Sequence, residues 1–144
     1  MTTESRRITV DYGNTLEEMI AAGNYDSVNG LITPDRFRMN GTGIEEFDTC
    51  LLHLAGPPSW MKSRYMSDPF NLFSVKIERL LAYGAATREE YYPGPIIGLG
   101  SIIEHEGYYL TPFICSWDAK RILDLRWVYY GWDPSCRFLK AFKM

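Results

Sequence analysis

Residues 108–128 read YYLTPFICSWDAKRILDLRWV, and this stretch decides the fold. Positions 108–115 and 121–128 are rich in aromatic and β-branched side chains, which suit a half-buried pleated surface. Trp117-Asp118-Ala119 punctuates them like a turn, so the stretch predicts two antiparallel strands. Outward from it, a strand over 96–103 precedes Glu106-Gly107, and a strand over 137–142 follows Gly131-Trp132-Asp133-Pro134. Four short strands with these separators predict an antiparallel meander. Pro112 has no N–H for a ladder bond, which places its strand at an edge or a bulge.

The first half is read in the same way. Residues 6–12 (RRITVDY) alternate as a strand. Thr15 then opens a capping box with Glu18, and Leu16, Met19 and Ile20 share a helical face before Gly23 ends the turn. From 24 to 43 the signals are turn-like, with Val28, Leu31, Ile32 and Phe37 pinning the loop to the core. Residues 44–54 (IEEFDTCLLHL) predict a long strand, with Phe47, Thr49, Leu51 and His53 on one side and Glu46, Asp48, Cys50 and Leu52 on the other. Loop chemistry occupies the middle of 56–71. Ser74 is then expected to cap a second helix through Ala86, packed by Ile77, Leu80, Leu81 and Gly84.

The chain has 144 residues, of which 46% are hydrophobic and 15% aromatic, which excludes a disordered or collagen-like chain. Folding a chain of this size buries about two-thirds of its surface, enough for one core. No repeat or linker divides it, so one domain is expected over 1–144. The fold class is α+β, a mainly antiparallel sheet with two short helices.

Fifteen basic residues against eighteen acidic give a net charge of −3, which argues against a general nucleic-acid binder. Residues 1–60 hold four basic and nine acidic side chains, and 61–144 hold eleven and nine. Arg126, Arg137, Lys140 and Lys143 lie among aromatic residues and resemble a base-stacking patch. A core strand with basic residues on its wet face accounts for them more simply. Met1 to Arg7 lacks the apolar region of a signal peptide, and no apolar run approaches a membrane span, so a soluble, cytoplasmic protein is expected. Three cysteines cannot all pair within one chain, and reduced thiols are the default.

LEEMIAAGNYD (16–26), ERLLAYGA (78–85), PIIGLGS (95–101), LDLRW (123–127) and CRFLKAF (136–142) together resemble a family of small bacterial proteins with no established activity. The resemblance covers most of the chain except roughly 56–73. It implies a common fold and transfers no catalytic residue. The order of helix, Gly-Ser turn, short strands, Trp-bearing segment and final Arg-Phe-Leu strand is also similar to the C-type-lectin-like fold. That similarity implies pairing of the terminal strands, here 8–12 with 138–142. The cysteines do not supply that fold's disulfides and no calcium-binding Glu-Pro-Asn-type tripeptide is present, so sugar binding does not follow.

Several constellations carry potential chemistry. Cys50, His53, Cys115 and Cys136 are zinc-ligand types, yet positions 50 and 53 of one strand face opposite sides of the sheet. Buried cysteines are the expectation, with no metal and no cofactor. Glu104-His105-Glu106 offers an acid and a base, but Gly107 puts it at a hairpin end. Ser101 in Gly98-Leu99-Gly100-Ser101 lacks a nucleophile elbow, and the same glycines lack the spacing of a phosphate loop. They fit tight packing against a helix instead.

The aromatic set Trp117, Trp127, Tyr129, Tyr130 and Trp132 stands out, because four of the five lie within six residues. That density leaves some rings exposed, and exposed Trp and Tyr beside Arg126 are common material of binding hot spots. A satellite core at the sheet's end is the competing reading. The function expected is a non-enzymatic binding module using Trp117, Arg126, Trp127, Tyr129, Tyr130 and Trp132 toward an unidentified protein or small-molecule partner. The alternative is a small zinc hydrolase built on Glu104, His105 and the cysteines.

Overall fold

The computed structural model describes residues 5–53, 72–128 and 134–142. Among these residues the elements run β1 (Arg6–Asp11), α1 (Leu16–Ala22), β2 (Ser27–Val28), β3 (Ile44–Leu52), a 3-10 turn (Leu72–Ser74), α2 (Ile77–Ala86), β4 (Ile96–Ile97), β5 (Ile103–His105), β6 (Tyr108–Trp117), β7 (Lys120–Trp127) and β8 (Arg137–Phe142). The strands form one sheet ordered β1-β3-β8-β4-β6-β7-β2, with β5 beside β6. All pairings are antiparallel except β4 with β8 and β2 with β7. No described helix is long and apolar enough to cross a membrane.

Local signals work where they are complete. The Thr15 hydroxyl accepts from the Glu18 N–H at 3.1 Å while the Glu18 carboxylate accepts from the Thr15 N–H at 2.8 Å, and Gly23 caps the other end of α1. Alternation on β3 buries Phe47, Thr49 and Leu51 against the helices. In the segment between α1 and β3, Ile32 and Phe37 are buried as expected, but Val28 is exposed in the short β2.

Helix α2 starts differently from the expectation. It begins at Ile77, its cap residue Lys76 makes no side-chain bond, and Ser74 ends the preceding 3-10 turn. The cap comes from a distant segment: the Ile77 N–H donates to Ser101 Oγ at 2.8 Å. Gly100 makes this approach possible, since a Cβ there would lie 2.5 Å from the Val75 carbonyl and the Gly100 N–H bonds that carbonyl at 2.7 Å. The same close packing breaks the strand expected over 96–103 into β4 and β5. Ile77, Leu80 and Leu81 are then fully buried, each worth about 1.5–3 kcal/mol of apolar burial. Arg79 ties α2 to β3 through Glu45 at 3.0 Å.

The sheet departs from a simple meander at β8. Instead of following β7, it inserts between β3 and β4, antiparallel to the first and parallel to the second. This also separates the terminal strands, because β3 lies between β1 and β8. Pro112 is not at an edge either, since β6 has β7 along one side and β4 and β5 along the other. Pro112 falls between the stretches paired with β5 and β4. There the Gly98 N–H donates to the Pro112 carbonyl at 3.2 Å, and the Thr111 hydroxyl donates to the Gly98 carbonyl at 2.9 Å, replacing the N–H that proline lacks.

Two apolar clusters result. The larger one joins Ile8, Phe47, Ile96, Ile114, Leu123 and Leu139 of the sheet to Leu16 and Met19 of α1 and Leu80 and Leu81 of α2. The smaller one, on the other face, joins Leu52, Ile97 and Phe138 to Leu72, Leu99, Val128 and Cys136.

Candidate functional site

The β6–β7 hairpin positions the aromatic residues. Its register pairs Trp117 with Lys120 at one end and Leu110 with Trp127 at the other. Seven residues of strand separate the two ends, roughly 23 Å, and positions 120 and 127 point to opposite faces. Trp117, 73% exposed at the hairpin tip, therefore does not share a patch with Trp127. Arg126 pairs with Thr111 on the face opposite to Trp127. Tyr129, Tyr130 and Trp132 lie outside the described residues.

At the Trp127 end the structure adds one residue, Tyr108, which the sequence places in a strand without a role. Trp127 stacks edge-on against Tyr108, with centroids 5.3 Å apart and planes at 87°. Tyr109, the next residue of the strand, projects from the opposite face, and its carbonyl accepts from the Val128 N–H at 2.8 Å. All three side chains are exposed: Trp127 by 39%, Tyr108 by 51% and Tyr109 by 44%. The geometry follows from two local facts. Glu106 and Gly107 both take positive φ, the tight turn that folds β5 onto β6. The register then sets Tyr108 two positions from Leu110, diagonally across from Trp127 on one face. The signal was present in the Glu106-Gly107 turn followed by two tyrosines.

The chemical candidates are dispersed. Glu104, His105 and Glu106 sit at that hairpin's tip, with His105 Nε2 3.9 Å from Glu106 Oε1. Cys50 and Cys115 are half-buried and Cys136 is buried, and all three are free thiols. Burial raises the thiol pKa of Cys50 and Cys115, keeping them protonated and poor nucleophiles. His53 is exposed, with Nδ1 3.3 Å from the Pro134 carbonyl. Among the described residues, no three His, Cys, Asp or Glu side chains gather to hold a metal ion. Ser101 is occupied as the cap of α2.

Against protein-family models, curated proteins and solved structures, the chain has no significant match.

Proposed function

We propose that the protein is a non-enzymatic binding module that receives its partner on the aromatic end of the β5–β6–β7 unit. The observation that carries this reading is the exposed edge-on pair of Tyr108 and Trp127. Large, stiff aromatic rings give contact area at little entropic cost, and such residues dominate binding hot spots. In the sequence Trp127 is followed by Tyr129, Tyr130 and Trp132, three further residues of the same chemistry. Trp117 stands at the far end of the hairpin and is not part of this surface.

The partner is a protein or a small molecule that offers apolar or planar groups. Three free thiols fit a reducing, cytoplasmic compartment. The C-type-lectin-like similarity adds no support, since β3 lies where the pairing of terminal strands would be. No observation favours the zinc hydrolase: Glu104 and His105 share β5, but the cysteines lie on β3, on β6 and just before β8.

The test is a pull-down from native cell lysate with wild-type protein and the Tyr108→Ala, Trp127→Ala and Trp132→Ala variants, each with circular dichroism as a folding control. Folded variants that lose the captured species support the reading. Equal capture by all of them overturns it.

A further inference from the structure

Between the end of α2 and the sheet lies a cavity of about 260 Å³, bounded by the starts of β1 and β8, β3, and the segment after α2. Its charged and hydroxylated lining comes from Arg6, Arg137, Tyr83, Glu90, Tyr91 and Tyr92. Arg137 departs from the wet-face placement expected from sequence. Strand alternation puts it on the helix side with Leu139 and Ala141.

Among the described residues Arg137 has no counter-charge. Its Nε and Nη2 are shut off from solvent with no hydrogen-bond partner, and no described residue forms an ion pair with it. Among the described lining residues the one acid, Glu90, is taken by Arg6 at 2.8 Å on the rim. Two arginines against one glutamate leave these residues with one uncompensated positive charge. Arg137 is half-buried and lines the cavity, so its unpartnered positive charge is one that a bound anion would neutralise.

The tyrosines complete the site. Tyr83, which is 6% exposed, makes no hydrogen bond through its hydroxyl among the described residues. Tyr92 is fixed, its hydroxyl bonded to Thr87 and its N–H donating to Ser116 Oγ at 2.9 Å. Burial first, and the neighbouring Tyr92 second, push the Tyr83 phenol up to about 12, so it remains a neutral donor at working pH. About 260 Å³ gives room for a small anion such as phosphate or benzoate.

We propose that this cavity binds one small anion through a carboxylate or phosphate group, held by the Arg137 guanidinium and the Tyr83 hydroxyl, with the Arg6–Glu90 pair at its mouth. This site is separate from the aromatic surface and stands whether or not that surface captures a partner.

The test follows thermal unfolding and calorimetric binding with sodium phosphate and, separately, sodium benzoate, each against sodium chloride at equal ionic strength. At about ten times its Kd, a bound anion should raise the midpoint by about 3–6 °C. Arg137→Met should weaken binding about ten- to a hundredfold. Tyr83→Phe keeps the ring and removes only the donor, so it should weaken binding while the fold persists, and it serves as the test if Arg137→Met fails to fold. A response to phosphate alone or to benzoate alone assigns the anion class. No response beyond chloride, or an undiminished response in Tyr83→Phe and in folded Arg137→Met, overturns the proposal.

Discussion

The Thr111 hydroxyl donates to the Gly98 carbonyl at 2.9 Å, at the point in the ladder where Pro112 has no N–H to give. Thr111 is fully buried, so no water can take over that role. Thr111→Val keeps the shape and leaves the carbonyl unpaired, for an expected loss of about 1–3 kcal/mol. Thr111→Ser retains the donor and should lose less. Urea denaturation of the two variants side by side checks this, and a loss in Thr111→Val no larger than in Thr111→Ser would show that the hydroxyl bond contributes no more than the methyl group.

Arg121 fastens both helices to the sheet. Its Nε donates to the Gly23 carbonyl at 2.9 Å, Nη2 to Gly84 at 2.9 Å and Nη1 to Thr87 at 3.5 Å, and the guanidinium lies 5.1 Å from the ring centroids of Tyr25 and Tyr92. These carbonyls are open acceptors at helix C-termini, where positive charge is also favoured. Arg121→Met takes this donor from the Gly23 and Gly84 carbonyls, while the Thr87 carbonyl keeps the Tyr92 hydroxyl at 3.3 Å, for an expected loss of about 3 kcal/mol. Arg121→Lys restores the charge but not the planar fork, so it should recover only part of the loss. Denaturant midpoints of both variants decide the matter.

What was legible in the sequence was what neighbours along the chain determine. The Thr15–Glu18 box, the 106–107 turn and the alternation of β3 each need only a few adjacent residues. Ser101 could not be read as the cap of α2, nor Arg121 as a clamp, because their partners lie 24 and up to 98 positions away. The insertion of β8 between β3 and β4 is likewise a long-range choice. Strand patterning says which face is buried but not which strand is next to which. The candidate site shows the same division. Trp127 was legible as an exposed aromatic residue, whereas Tyr108 joined it only through the register of β6 on β7. Trp117 was grouped with Trp127 by chain proximity, and the length of one hairpin separates them.

The β6–β7 turn contains an opportunity for stabilisation. Asp118 and Ala119 take φ of 53° and 62°, the left-handed region in which an L-residue with a Cβ is disfavoured. Aspartate tolerates it better than alanine does. Ala119→Gly should therefore stabilise the protein by about 0.5–1 kcal/mol, even though glycine frees the unfolded chain. The check is a rise in melting temperature, with pull-down behaviour unchanged because the tip is remote from Trp127. A fall would show that the turn carries no left-handed strain.

Alkaline pH should destabilise the fold through its buried phenols. Burial is the main cause that raises the Tyr25 and Tyr83 pKa values above the usual 10, Tyr83 to about 12. Below pH 10 both folded and unfolded chains keep these protons, so there is no effect. Between pH 10 and about 12 the unfolded chain releases the Tyr83 proton while the folded chain holds it, and stability falls as pH rises. The slope is about 1.4 kcal/mol per pH unit for each fully shielded phenol. Tyr83→Phe removes one such group, so its urea midpoint should fall less steeply than that of the wild type between pH 9 and pH 11.5. Identical slopes would mean that the Tyr83 hydroxyl reaches bulk water in the folded protein.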